Sequence, residues 1–238
     1  ACREALTSPG VLTSLNVSRE QFTVTGDDAV ELAYIVRPAA LGERIGISLR
    51  DHSYNPVDEG QYQVLQRVLE TFTNEKRASL QPVPISNYLP SDMEAIQRIL
   101  PENVRTSDSG SPLNTPERLI SEIAHCRIMI AGSYHAAVFA LSMGVPAICL
   151  ARSSHYQYKM SGLLSMFGIN PETRLITFDN LRFAEKLSEM LQNVWANAEA
   201  ERPLLQAAAR EQVKNGQAVY AQIFEEIDAA RLRRAQGQ

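Results

Sequence analysis

The sequence predicts an α/β fold: a Rossmann-like, mostly parallel sheet with helices on both faces and a helical C-terminal tail. Two patterns carry that prediction. Short apolar runs alternate with helix-period stretches, as in βαβ units. The central runs are apolar throughout rather than alternating, as strands covered on both faces are. Composition agrees, since 238 residues with 45% hydrophobic and 21% charged content can bury a real core, and 12 glycines and 12 prolines are too few for a low-complexity scaffold.

The first forty residues hold a polar helix-like stretch, then a β-like run from Gln21 to Asp28 that ends in a turn. Ile45–Arg50 reads as the first strand, followed by an amphipathic helix with Tyr62, Leu65, Val68 and Leu69 on one face. A weaker strand is expected around Leu80–Ile85. Ser91, with Glu94 three residues on, forms a capping box that opens a helix carrying Met93, Ile96, Ile99 and Leu100. Thr106 to Pro116 is dense in Ser, Gly, Pro and Asn and reads as a loop. Thr115-Pro116-Glu117 then starts a helix with Leu119, Ile120 and Ile123 periodic. Arg127–Gly132 is the next strand, His135–Met143 a helix stopped by Gly144-Val145-Pro146, and Ala147–Leu150 another strand. A last strand at Leu175–Phe178 leads into C-terminal helices bearing Leu187, Met190, Leu191 and Val194, then Val219, Tyr220, Ile223, Phe224 and Ile227. The expected organisation is a linker segment over 1–40, a Rossmann-like domain over 41–180, and helices over 181–238 that pack on that domain or on another half.

Charge narrows the function. Lys and Arg number 23 against 27 Asp and Glu, a net charge of −4, so no overall basic field points to nucleic acid. Cys2, Cys126 and Cys149 are too few for a disulfide framework, and two of them lie in apolar runs where reduced, buried thiols belong. No apolar stretch approaches the roughly 20 residues of a membrane span. The expectation is a cytoplasmic chain of a reducing compartment. Its start at Ala1-Cys2-Arg3, in what reads as the middle of an element, is expected of a processed chain or a fragment.

In open α/β sheets, ligands bind beyond the carboxyl ends of the strands. Those ends are Arg50-Asp51-His52, Ser86-Asn87, Gly132-Ser133-Tyr134-His135, and the stretch from Arg152 to Lys159, read as a loop with Ser153, Ser154, His155, Tyr156 and Tyr158. Imidazole, cationic and hydroxyl groups gathered there suit an anionic or sugar ligand. In the Gly132–His135 turn, Gly132 permits a tight turn, Ser133 is placed to cap the helix, and the helix's free N–H groups favour a carboxylate or phosphate. His135, titrating near neutrality, suits proton transfer, though a structural, partly buried histidine would read the same way. Arg50 fits either an anion or a strand-end ion pair. His125 is expected to be a helix C-terminal residue, and Cys126 and Cys149 to be core. No Gly-x-Gly-x-x-Gly or Walker motif occurs, and no His, Cys and carboxylate cluster has metal-ligand spacing, so neither a cofactor nor a metal is expected.

The run from Leu119 to Pro146, with the tyrosine-rich stretch to Lys159 and Gly162-Leu163, resembles the signature block of the polysaccharide pyruvyl transferase family. Arg3-Glu4 with Thr7-Ser8, and the Thr25-Gly26-Asp27 turn, resemble that family's preceding segment. The resemblance is most specific from Ile120 to Leu163. It implies the carboxyl-terminal half of a two-halved, glycosyltransferase-B-like architecture, and transfer of a pyruvyl ketal from phosphoenolpyruvate to a saccharide or lipid-linked saccharide of a bacterial cell-surface polymer. It implies His135 as acid/base or phosphate ligand, and Arg3 and Lys159 as anion-binding cations. Ser133, Tyr134, Arg50, Arg152 and Ser153 join them as substrate-binding candidates. Where the family usually reads Arg-Leu-His, this chain reads Ser133-Tyr134-His135, so Arg152 or Arg50 would stand in for an arginine, or the donor would differ. The rival readings are a glycosyltransferase using a nucleotide sugar and a catalytically degenerate binding or assembly module. Self-association, or association with a missing half, is also expected.

Overall fold

The computed structural model describes residues 1–51, 57–86, 88, 91–100 and 115–235. At its centre five parallel strands run in the order β2-β1-β3-β4-β5. They are β1 (Arg44–Ser48), β2 (Leu80–Pro82), β3 (Cys126–Ala131), β4 (Ala147–Ala151) and β5 (Leu175–Thr177). The helices are α1 (Thr7–Ser14), α2 (Ala29–Tyr34), α3 (Glu59–Lys76), α4 (Asp92–Gln97), α5 (Pro116–Ala124), α6 (Tyr134–Met143), α7 (Ser154–Met166) and α8 (Phe183–Ala235).

Strand periodicity divides the interior into two layers. Ile128, Ile130, Ile148 and Leu150, with Ile45 and Ile47 of β1, point to one face, where Tyr62, Leu65, Leu69, Ile96 and the first turns of α8 cover them. Met129, Ala131, Ala147, Cys149 and Ala151 point to the other, against α2, α5, α6, α7 and the middle of α8. The small side chains on that second face let α6 sink close to the sheet. Every residue of α6 except His135 is buried, which explains its apolar character all round.

Local signals account for the helix starts. Asp58 caps α3 and Ser91 caps α4, each in a capping box, and the Thr115 hydroxyl accepts from Arg118 N with Pro116 at the first position of α5. Proline is tolerated in β2 because that strand lies at the sheet edge.

Four expectations need correction. The stretch from Arg152 to Lys159 is not a loop: Ser153 accepts from Tyr156 N and opens α7, so Lys159 sits on a helix. The C-terminal helices are one continuous helix that carries Pro203 within it. The β-like run at Gln21–Asp28 contributes only a short 3-10 turn (Arg19–Gln21) and an isolated parallel bridge between Cys2 and Val24. The second strand stops at Pro82 instead of Ile85. His52, Asn87 and residues 106–114 of the Ser/Gly/Pro-rich stretch lie outside the described residues.

The strand order places a switch point between β1 and β3. From β1 the chain passes to β2 on one side and later to β3 on the other, so a crevice opens between the carboxyl ends of β1 and β3. No described helix is long and apolar enough to cross a membrane.

Candidate functional site

The carboxyl end of β3 delivers Gly132, Ser133, Tyr134 and His135 to that crevice. Gly132 donates its N–H to Ser48 O at 2.7 Å, and a Cβ there would stand 3.0–3.2 Å from the Ser48–Arg50 backbone. Its reason is thus close approach of β3 to the end of β1, rather than a special turn. Ser133 is the N-cap residue of α6 by position, but its hydroxyl makes no cap bond, so the first N–H groups of the helix are not taken up by that side chain. This corrects the expected cap. It leaves α6 presenting its positive end to the crevice.

Three further segments converge on the start of α6. The Cys2–Val24 bridge, with Cys2 N donating to Thr23 O and Thr25 N to Cys2 O, sets Arg3 and Glu4 beside the Thr25–Asp28 turn. The Arg3 guanidinium carbon lies 5.1 Å from the Tyr134 ring centroid, and the Lys159 ammonium from α7 lies 4.6 Å from it. The His135 ring stands edge-on to the same tyrosine at 5.5 Å. Asp27 closes the group, with Oδ2 3.9 Å from His135 Nε2 and Oδ1 accepting from Ala29 N.

These charges act on one another. Burial lowers the His135 pKa below the usual imidazole value; Asp27 opposes that shift, and Arg3, Lys159 and Arg50 add to it. Burial likewise lowers Lys159, and so do Arg3 and Arg50, against Asp27 and Glu4. The cations of the site therefore repel one another, and the carboxylates of Asp27 and Glu4 oppose that repulsion. Glu4 is buried yet held below the ordinary carboxylate range, because its oxygens accept from the N–H groups of Leu6, Thr7 and Ser8.

The structure thus brings together Arg3, Tyr134, His135 and Lys159, with Ser133 at the turn and Arg50 near enough to act electrostatically on both titrating groups. Arg50 pairs with Asp92, Nε to Oδ1 at 3.2 Å, which is the strand-end ion pair. Asp92 is itself fixed by the N–H groups of Ile85 and Ser86. Arg152 turns to the start of α3, donating to Gln61 Oε1 at 3.0 Å beside Asp58, and Ser153 caps α7. Neither is part of the Tyr134 cluster. His155 is exposed on α7, and His125 ends α5 with Nδ1 2.8 Å from Ser121 O, as expected of a C-terminal residue. Burial pushes the Cys126 and Cys149 thiols up to about 12, so they are protonated core groups.

Sequence reading missed Asp27 and Asp92. Asp27 stands just before α2 in a Gly-Asp-Asp turn, and its position before a helix was the available signal; nothing local reveals that Asp92 faces Arg50. A groove bounded by Gly42, Arg44, Arg77, Ser79 and His125 lies at the amino ends of β1, β2 and β3, where α3 and α5 end, and helix carboxyl ends disfavour anions. Among the described residues, no three His, Cys, Asp or Glu side chains are grouped to hold a metal ion.

The family model described as polysaccharide pyruvyl transferase matches residues 1–154. The chain belongs to that family. The match lies on the N-terminal part of this chain, although the resemblance was expected to represent the family's carboxyl-terminal half. It includes Arg3, Asp27, Arg50 and His135 and ends short of Lys159. No curated protein matches the chain.

Proposed function

We propose that this family member transfers the pyruvyl group of phosphoenolpyruvate, as a ketal, to a saccharide acceptor. The supporting observation is the convergence of Arg3, Lys159 and His135 on the Tyr134 ring at the positive end of α6. Phosphoenolpyruvate carries a carboxylate and a phosphate. Two cations and a helix terminus suit both groups by charge-assisted hydrogen bonding. Protonated His135 gives its proton to the methylene carbon, which becomes the methyl group, and the positive charge appears at the neighbouring carbon. A sugar hydroxyl oxygen bonds to that carbon and yields its proton to the now neutral imidazole. Phosphate then leaves with its bridging oxygen, the second hydroxyl takes its place, and that hydroxyl's proton goes to phosphate.

Burial, with Arg3, Lys159 and Arg50, favours the neutral form of His135, against Asp27. A bound dianion offsets those cations and so favours the acid form. Asp27, behind Nε2, opposes loss of that proton.

Thermal-shift and phosphate-release measurements test the reading. Phosphoenolpyruvate is expected to raise the melting temperature and to release phosphate in the presence of an acceptor saccharide. Stabilisation by a nucleoside diphosphate with none by phosphoenolpyruvate would replace it with a nucleotide-sugar glycosyltransferase. Stabilisation by neither would leave a binding or assembly module.

A further inference from the structure

Tyr134 is 1% exposed, yet its ring meets three groups of the site: the Arg3 guanidinium, the Lys159 ammonium and the edge-on His135 imidazole. Its hydroxyl is buried and has no hydrogen-bond partner, so the ring face, and not the oxygen, makes the contacts with the site. Among the described residues, neither Arg3 nor Lys159 forms a salt bridge, although Lys159 stands within electrostatic range of Asp27 and Glu4. An aromatic face attracts a cation through its quadrupole and leaves the charge intact. A carboxylate in the same place would hold the two cations equally well and neutralise them. The Tyr156 ring, 5.7 Å from the Lys159 ammonium, gives that lysine a second aromatic wall.

We propose that the Tyr134 ring is a positioning platform that holds both Arg3 and Lys159 without neutralising them, and so sets the affinity for a doubly charged anionic donor. The proposal rests on the donor-site reading above and adds to it the residue that pre-assembles the anion grip. Two like charges placed near one another are costly unless something attracts both. The ring, itself fixed in the core around α6, supplies that attraction to both.

Isothermal titration of phosphoenolpyruvate at fixed salt into the wild-type chain and into Tyr134→Phe, Tyr134→Leu, Lys159→Met and the Tyr134→Leu/Lys159→Met double variant tests it. Inorganic phosphate is titrated in parallel. Tyr134→Phe keeps the face and loses only an unpartnered hydroxyl, so its affinity should stay within about twofold of wild type and its melting temperature should hold or rise. Tyr134→Leu should weaken binding about tenfold, the scale of one or two aromatic–cation contacts. The double variant should lose less than the product of the two single losses, since the ring acts partly through Lys159. Wild-type affinity in Tyr134→Leu, equal weakening in Tyr134→Phe, or single losses that multiply would each overturn the platform. Should Tyr134→Leu fail to fold, Tyr134→Met takes its place with the same expectations. If the wild-type chain binds no phosphoenolpyruvate, the donor reading fails, and the phosphate series alone decides the platform by the same pattern.

Discussion

His135 shows how one residue's surroundings set its chemistry. Its side chain is 42% exposed, so it reaches the crevice, while every other residue of α6 is buried. His135→Ala is expected to abolish transfer with little change in folding, whereas Met129→Ala should retain the site and cost about 2–5 kcal/mol of stability, as buried large-to-small changes do. Equal loss of fold in both, seen by chemical denaturation, would make His135 a structural residue. Its lowered pKa also has a direction in stability. The unfolded chain takes up a proton at the ordinary imidazole value of about 6.5, and folded His135 resists until lower pH. Its stabilising contribution is therefore complete above that value and is lost as pH falls through it. Melting curves across that window should fall less steeply for His135→Gln than for wild type. The imidazole and its turn were legible in the sequence because a Gly-x-x-His step between an apolar strand and an apolar helix is local. Asp27 and Asp92 were not, because their meaning comes from distant segments that only the fold brings near.

At the scale of elements, the site depends on close packing between short segments. A Cβ on Gly162 of α7 would collide with the Glu4 carboxylate, the group that gathers the first N–H groups of α1. Gly162→Ala should therefore displace Glu4 and the Arg3 beside it. The expected outcome is weaker phosphoenolpyruvate binding and a loss of about 1–3 kcal/mol in stability, the usual cost of overpacking, measured by titration and by denaturation. Unchanged binding would mean that Arg3 is positioned independently of α7. Strands and most helix starts were readable because caps and periodicity are local signals. The helical state of α7 was not. Its opening turns carry His155, Tyr156, Gln157, Tyr158 and Lys159, a polar and aromatic run with no apolar period, and tertiary contacts of Tyr156 and Met160 decide it.

At the scale of the molecule, α8 links the layers. Phe183, Leu187, Leu191, Val194 and Ala198 pack with the core of one sheet face, and Leu205 and Ala209 with that of the other. Beyond Val213 Tyr220, Ile223, Phe224, Ile227 and Leu232 are exposed, and hydrogen bonds from Gln217 to Glu31 and from Tyr220 to Asp28 link this part to the start of α2. A chain ending after Val213 should keep its melting temperature within a few degrees, while one ending after Arg202 should lose at least the roughly 2–5 kcal/mol held by buried Leu205. Thermal scans of both truncations check this. The sequence hid the continuity of α8 because Pro203 reads as a break. Membership in two cores has a consequence for dynamics. Loosening either side of the sheet slackens the rod shared with the other, so amide protons on β3 and β4 should exchange with solvent in one concerted opening, not as two separate cooperative blocks.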